Sequence, residues 1–248
     1  MVSVRRSYNS EPSRVLHGIG LFQPVDTNES IPTEGIFAIY KEEGMTSHDV
    51  VAIVRRTTGQ KRVGHAGTLD PCAKGVLVVG VGRPSTKQLG QIVEKEKEYF
   101  TRVRLGWRST SDDREGEKEE VPPSTIPSEQ AVRDALMTFQ GVIEQRPPIF
   151  SAVKIGGRPA YRFARAKKHV ELRVREVLVK EIELLSYEWP LAEIRMVTGP
   201  GVYVRSIARD LGELLKTAGY VEALERTRVG SYTADQALRL TRPSPPKP

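Results

Sequence analysis

The chain has 248 residues, of which 38% are hydrophobic and 28% charged, and its formal net charge is +7; this composition is typical of a soluble globular protein. The sequence lacks any run of 18 consecutive apolar residues, so it predicts no membrane-spanning helix. The single cysteine, Cys72, excludes an intramolecular disulfide, and the four histidines occur without HExxH or CxxC motifs, so no metal site is predicted.

Residues 1–34 form a polar stretch that we expect to be a disordered arm. It holds three arginines but also Glu11, Asp26, Glu29 and Glu34. Since it has no apolar core, a secretory signal is excluded, and transit peptides are usually poor in acids. We therefore expect a cytoplasmic protein, with a mitochondrial or plastid location as the alternative.

The first half of the regular region, from Gly35, predicts strands around one helix. We expect the helix to run from Ser47, as its N-terminal cap, to Thr58, and to end at Gly59. The strands are expected in "GIFAIYK", in the apolar run "GVLVVGVG" and in the alternating "EYFTRVRLGW". The acidic "STSDDREGEKEEVPPSTIPS" that follows is predicted to be a loop.

The second half again mixes helices with strands. Ser128 is predicted to begin a helix that Gly141 closes. "EVLVKEIELLSYEW" and "AEIRMVTGPGVYVRS" are predicted to be strands joined by a turn near Pro190, before a helix over residues 207–217. Because no βαβ period repeats, we predict an α+β fold with a mostly antiparallel sheet flanked by helices. The tail, residues 241–248, is predicted to be disordered.

One basic segment accounts for much of the positive charge. Between Lys154 and Arg175 the sequence has eight Lys or Arg residues and one acid, with Tyr161 and Phe163 among them. A solvated helix face is the ordinary interpretation of such a charge run. The aromatic residues between the bases favour contact with a nucleic-acid backbone.

The stretch "RVGHAGTLDPCAKGVLVVGVG" is the strongest candidate for chemistry. It combines five glycines with a single carboxylate, Asp70, placed between Leu69 and Pro71. The chain has no GxGxxG after a strand, no GxxxxGK[ST] and no GxSxG, so dinucleotide-binding, P-loop and serine-hydrolase sites are not predicted.

This stretch resembles the catalytic motif of the TruB/dyskerin class of pseudouridine synthases, GH-x-G-x-LDP-x-A-x-G. Five further segments resemble that family's motifs in the same order along the chain: "KEEGMTSHDVV", "KEYFTRVRLGWRSTSDDREG", "QRPPIFSAVKIGGRPAYRFAR", "GPGVYVRSIARDLGELL" and "LERTRVGSYTADQAL". Together the matches span residues 35–240, which we expect to form the catalytic domain, with an RNA-binding insertion at about 150–175. The family's usual C-terminal PUA-like domain is not expected, because only "TRPSPPKP" follows.

The resemblance implies three catalytic residues. Asp70 would act on C1′ of a uridine, and Arg205 would pair with it and keep it ionised. Tyr99 would stack on the uracil and help to move a proton; its alternative is an ordinary core tyrosine. The implied reaction is an isomerisation, so no cofactor is expected.

Further residues are implied to bind the RNA. Tyr203, placed on the same strand face as Arg205, would line the uridine pocket, and His65 would fill the space of the flipped base. Lys41 and Lys154 would contact phosphate or the pocket backbone, with a solvated lysine as the alternative. The basic segment would close over the RNA with Arg158, Arg162, Arg165, Lys167 and Lys168.

The implied function is isomerisation of a uridine in the T-loop of tRNA, at position 55, to pseudouridine. We expect tRNA, through its T-arm, to be the partner of a monomer that needs no other protein and no membrane. One alternative is a dyskerin-like synthase that depends on a guide RNA. The other is a non-catalytic tRNA chaperone with the same fold.

Overall fold

The computed structural model describes residues 31–166, 168, 170 and 172–240. The predicted tail, Lys167 and all but the last four residues of the predicted arm lie outside the described residues. No helix in the described part of the chain has the length and hydropathy needed to span a membrane.

The described residues form five helices and fourteen strands. The helices are α1 (Ser47–Thr58), α2 (Arg83–Val93), α3 (Glu129–Met137), α4 (Ala160–Arg165) and α5 (Val204–Leu214). The strands are β1 (Gly35–Lys41), β2 (Val63–Ala66), β3 (Ala73–Val81), β4 (Lys97–Leu105), β5 (Trp107–Ser109), β6 (Lys118–Glu120), β7 (Gly141–Gln145), β8 (Lys154–Ile155), β9 (Arg158–Pro159), β10 (Arg175–Glu188), β11 (Leu191–Thr198), β12 (Gly219–Val229), β13 (Tyr232–Thr233) and β14 (Leu238–Arg239).

Ten of these strands form one sheet. Its main path runs β14-β1-β3-β12-β4-β11-β10-β7, with β2 added to β3 and β13 to β12. Only β1 with β14 and β3 with β12 pair in parallel; every other named pair is antiparallel. The prediction of an α+β fold with a mostly antiparallel sheet is confirmed.

The helices divide between the two faces of the sheet. Apolar side chains of α1, α3 and α5, such as Val50, Val132 and Ile207, pack into the larger core. Leu89 and Ile92 of α2 pack into a second core against β1 and β3. The outer face of β4 and β11 instead carries ion pairs, including Arg102 with Glu193 at 2.7 Å, so the larger core lies on one side only.

Two predicted helix boundaries were wrong, the start of α1 and the end of α3. The cap of α1 is Thr46, whose hydroxyl accepts from the Asp49 amide, while Ser47 is the first helical residue. Ser128 does cap α3, but the helix ends at Met137. Gly141 instead opens β7, with a φ of +101° that favours glycine.

The predicted strand through Tyr203 and Arg205 was also wrong. β11 ends at Thr198, and the chain turns through Gly201, whose φ of +82° is in the left-handed region. Tyr203 is then the N-terminal cap of α5 and Arg205 lies in its first turn. The alternating apolar residues of "GVYVRSI" are thus shared between a turn and a helix, which local periodicity does not separate.

Candidate active site

The loop between β2 and β3 carries Asp70 and is fixed by contacts from β1 and α1. The Ser47 hydroxyl donates to the Leu69 carbonyl at 3.1 Å and accepts from the Leu69 amide at 2.9 Å. The Gly44 amide donates to the Pro71 carbonyl at 2.9 Å. Hydrogen bonds to the backbone of both neighbours, Leu69 and Pro71, therefore fix the position of Asp70 in the loop.

Lys41 supports the same loop from beneath. It is completely buried, and its ammonium donates to the carbonyls of Met45 at 2.8 Å, Glu42 at 3.1 Å and Pro71 at 3.4 Å. Burial lowers the pKa of Lys41, while the charge of Asp70 opposes that change. The alternative of a solvated lysine was wrong, because Lys41 is buried and its ammonium bonds backbone carbonyls of the pocket. The contact with phosphate stays a prediction.

Arg226 on β12 holds the other end of the loop. It is 2% exposed, and its guanidinium donates to the carbonyls of Gly67 at 3.0 Å and Val76 at 2.9 Å. Gly75 pairs with Arg226 across β3 and β12, and a Cβ at Gly75 would lie 2.2 Å from the Arg226 carbonyl oxygen. The sequence analysis did not identify Arg226, because its partners are backbone atoms distant in the chain.

Asp70 meets Arg205 where this loop faces the first turn of α5. Nε of Arg205 lies 2.9 Å from Oδ2 of Asp70, and Nη2 donates to Oδ1 at 3.1 Å. The Arg205 side chain is 4% exposed, whereas that of Asp70 retains 33% exposure. The carboxylate therefore has a buried cation behind it and an open side from which a substrate can approach.

Two further carbonyls and one carboxylate orient Arg205. Its guanidinium donates to the Ser111 carbonyl at 3.0 Å and to the Phe150 carbonyl at 2.9 Å. Oδ2 of the buried Asp113 lies 3.5 Å from Nη1. A guanidinium with partners on several sides has little freedom to leave Asp70.

Asp113 was missed because its segment was predicted to be a solvated acidic loop. The neighbouring Asp112 is also largely enclosed, with a φ of +59°, and it pairs with Arg209 at 3.1 Å. Burial raises the pKa of Asp112 to about 6, against the opposing effect of Arg209. The only sequence signal was the position of "TSDDREG" within a family motif.

The charge state of Asp70 reflects opposing effects. Burial raises the pKa of its carboxyl, the positive charge of Arg205 opposes that rise, and Asp113 adds to it. Lys41 also acts against the rise. Arg205 therefore favours the ionised form of a carboxylate whose burial favours the neutral acid.

The two tyrosines implied by the resemblance occupy different kinds of position. Tyr99 is buried on β4, beside Arg226 of β12, in the same core as Leu69. Tyr203 is half-buried at the start of α5, where both polar groups of the buried Gln145 side chain bond its backbone, at 2.8 and 3.1 Å. Tyr203 and Arg205 thus belong to one turn, although not to a strand.

His65 lies on β2, five residues before Asp70. It is half-buried, its ring contacts that of His48 edge to face at 5.9 Å, and its Nδ1 has no partner among the described residues. Burial lowers the pKa of His65, and the charges of His48 and Arg226 act in the same direction. The imidazole is therefore neutral at physiological pH.

The basic segment forms a small hairpin, β8–β9, followed by α4. Arg175, at the end of the segment, is half-exposed. The other lysine and arginine side chains that the structure describes there are exposed: Lys154, Arg158, Arg162, Arg165, Lys168 and Arg173. A cavity of about 430 Å³ lies under the hairpin, walled by Pro147, Leu172 and Arg175 among others. Since the described bases lack acidic neighbours within the segment, its surface is strongly cationic.

One cluster has ligand types that suit a metal. Atoms of Cys72, Asp113 and Glu115 lie within 4.8 Å of one another. Asp113 already faces Arg205, and burial raises the pKa of the Cys72 thiol to about 12, so this thiol is protonated at neutral pH. A protonated thiol is a poor metal ligand, so these three residues suit a metal less well than the role in which Asp113 helps to hold Arg205.

Chemically, the site offers a carboxylate that is held by a guanidinium and is open on one side. A carboxylate so placed can act as a nucleophile or stabilise positive charge on a carbon. The cationic surface suits a substrate that carries phosphates.

Comparison with known proteins agrees with this chemistry. Residues 55–204 match the family model described as "TruB family pseudouridylate synthase (N terminal domain)". The tRNA pseudouridine synthase B of Thermobifida fusca (strain YX) is 47% identical over 215 residues, which cover 84% of this chain and 73% of that protein. The protein of the same name from Corynebacterium diphtheriae is 42% identical over 220 residues, covering 86% and 73%.

A similar solved structure is described as "Crystal Structure of a Cbf5-Nop10-Gar1 Complex". The matched chain has a TM-score of 0.64 at 28% identity, with 84% of this chain covered. The described sheet and helices cover 53% of that chain, so this protein spans about half its length.

Proposed function

The chain belongs to the TruB family of pseudouridylate synthases, and from that premise we propose that it converts a uridine in the T-loop of tRNA, at position 55, to pseudouridine. The observation that carries the proposal is the pair of Asp70 and Arg205, with Nε 2.9 Å from Oδ2, in which the arginine is buried and the carboxylate keeps an exposed side. The names of the relatives, tRNA pseudouridine synthase B, support the choice of tRNA.

Asp70 is the proposed catalyst. Its ionised carboxylate acts at C1′ of the uridine, either as a nucleophile or by stabilising positive charge there, while the N1–C1′ bond breaks. The uracil rotates, C5 bonds to C1′, the C5 proton is released and N1 gains a proton. Reactant and product have the same atoms and the same oxidation state, so the reaction requires no cofactor.

Arg205 and Tyr99 have supporting roles in this proposal. Arg205 keeps the carboxylate ionised in a site whose burial otherwise favours the neutral acid. Tyr99 stacks on the extruded uracil and assists the transfer of a proton. Its burial beside the strand that carries Arg226 is compatible with a ring held rigidly in one place.

The RNA must present the uridine out of its stack, because C1′ and both edges of the base are otherwise inaccessible. His65 is proposed to fill the space left by the base, which its half-buried neutral ring suits. Tyr203 is proposed to line the uridine pocket. The exposed bases of the hairpin and α4 are proposed to bind the phosphates of the T-arm.

We further propose that the protein acts as a monomer in the cytoplasm, on tRNA alone. The proposal rests on a complete set of candidate catalytic side chains within one chain. It predicts activity without a guide RNA or a second protein.

The test uses purified protein and two tRNA transcripts, one with uridine and one with cytidine at position 55. Pseudouridine is located by carbodiimide modification followed by primer extension. The proposal predicts a stop at position 55 of the first transcript only. A stop elsewhere would contradict T-loop specificity. Binding without any stop would favour the chaperone alternative, and activity that appears only with an added guide RNA would favour the dyskerin-like alternative.

A further inference from the structure

The basic segment is attached to the catalytic helix at both of its ends. Four residues before its start, the Phe150 carbonyl accepts a hydrogen bond from Nη2 of Arg205 at 2.9 Å. At its end, Arg175 contacts the turn that leads into α5. Movement of the segment therefore acts on the same turn of helix from two sides.

Arg175 makes two distinct contacts there. Its Nη2 donates to the Gly201 carbonyl at 3.0 Å, and its guanidinium lies 5.1 Å from the centre of the Tyr203 ring. Its Nε is buried and has no acceptor among the described residues. A guanidinium stacked on a tyrosine and bonded to the backbone two residues earlier fixes the direction in which α5 begins.

The start of α5 has little capping support of its own. Tyr203, its N-terminal cap, makes no side-chain capping bond. The Gln145 side chain supplies bonds from outside, accepting from the Tyr203 amide at 2.8 Å. Arg205 lies in this first turn, so the position of its guanidinium depends on the contacts that Gln145 and Arg175 make with the start of α5.

Arg175 is also part of the surface that the RNA would meet. It walls the 430 Å³ cavity together with Lys154 and Arg173. Arg173, two residues earlier, is exposed and lines the same cavity, but it makes no contact with α5 among the described residues. The two arginines carry the same charge and line the same cavity, but only Arg175 is bonded to the turn before α5 among the described residues.

We propose that Arg175 is a positioning residue for Arg205: it couples binding of RNA by the basic segment to the geometry of the Arg205–Asp70 pair through Tyr203 and the first turn of α5. This inference rests on the proposed function, and it assigns to one arginine of the segment a role different from phosphate binding. The remaining exposed bases of the segment act on affinity.

The first test compares Arg175→Gln with the matched control Arg173→Gln, both checked for an unchanged melting temperature. Single-turnover rates are measured at saturating tRNA, and Kd by filter binding. We expect Arg173→Gln, a change within the same RNA-binding surface, to act mainly on Kd. Arg175→Gln is expected to lower the saturated rate about tenfold or more, since small displacements of catalytic groups are costly. Equal behaviour of the two variants, with only Kd changed, would overturn the proposal.

The second test does not depend on activity. Hydrogen exchange of the peptide covering residues 199–212 is measured by mass spectrometry with and without tRNA. We expect tRNA to protect this peptide in the wild type and in Arg173→Gln, and to protect it much less in Arg175→Gln. Equal protection in all three proteins would overturn the coupling even if the enzyme proved inactive on tRNA, so the two failures are distinguishable.

Discussion

At the scale of single residues, the site depends on opposing effects on the pKa of Asp70. Burial and Asp113 raise the pKa of its carboxyl, whereas Arg205 and Lys41 oppose that rise. Lys41 is engaged by three carbonyls, so Arg205 is the cation in direct contact with the carboxylate. Arg205 therefore both orients the Asp70 carboxylate and is the main group that favours its ionised form.

Replacement of this arginine gives a prediction with a defined sign. Arg205→Met removes the positive charge, so the pKa of Asp70 rises further and the acid side of the pH–rate profile moves to higher pH. We also expect the single-turnover rate at pH 8 to fall by about 10²–10³, as for loss of one preorganised electrostatic contact.

The measurement is the rate at which tritium is released from tRNA labelled as [5-³H]uridine, from pH 5 to 9. Arg205→Lys is the control that keeps the positive charge. The control should keep the acid limb closer to that of the wild type. An acid limb that stays in place in Arg205→Met would show that Arg205 does not set the ionisation of Asp70.

At the scale of elements, the site exists because β3 and β12 pair very closely. Gly75 has a φ of +111°, and a Cβ there would meet the backbone of Arg226 at 2.2 Å. The same approach places the Arg226 guanidinium under Gly67, at the start of the loop that carries Asp70. A change in strand spacing would thus be felt at the catalytic loop.

Gly75→Ala is therefore expected to destabilise the fold by more than about 3 kcal/mol, through an unfavourable φ and a backbone clash together. Gly90→Ala is the matched control, because Gly90 lies in α2 with nothing within 4 Å of its Cβ position. That change should be neutral or stabilise by about 0.5–1 kcal/mol. Urea unfolding of both variants measures the difference, and similar stabilities would refute the close approach of the strands.

Sequence patterns predicted the elements whose side chains follow a clear period. β1, β3, β4 and β10, and the body of α1, came from apolar periodicity and turn residues. α5 was placed three residues too late, because Val202 and Val204 continue the strand-like alternation of β11 across the turn. The short β2 and the long β12 were not predicted, since their regularity comes from pairing with distant strands.

The residues of the site likewise fall into those that the sequence predicted and those that it did not. Asp70, Arg205, Tyr99 and His65 were reached through motif resemblance, and the structure brings Asp70 and Arg205 into contact. Asp113 and Arg226 were not singled out although both lie in segments that resemble family motifs, because an aspartate in an acidic loop and an arginine among other charged residues look solvated in sequence. Their burial is a property of the tertiary fold alone.

At the scale of the whole molecule, positive charge is arranged in two ways. Arginines on the outer face of the sheet are paired, as Arg102 is with Glu193 and Arg104 with Glu222. The exposed bases of the segment around α4 form no ion pair among the described residues. The segment therefore presents positive charge that no described acidic residue neutralises in an ion pair.

The salt dependence of tRNA binding tests this arrangement. Arg158→Gln with Arg162→Gln should lower the slope of log Kd against log salt concentration by about 1.4–1.8, since each lost phosphate contact removes about 0.7–0.9. Arg102→Gln with Arg104→Gln is the matched control and should leave the slope unchanged. If both pairs changed the slope equally, non-specific net charge would explain binding.

The most direct test of the account is tritium release from tRNA transcript labelled as [5-³H]uridine, with purified protein alone. Wild type and Asp70→Asn are compared with Asp134→Asn, which changes an exposed aspartate on α3. The account predicts release by the wild type and by Asp134→Asn, and none by Asp70→Asn although it still binds tRNA. Release by Asp70→Asn at the wild-type rate would contradict the assignment of the catalytic carboxylate, and no release by any of the three would contradict a synthase that acts alone.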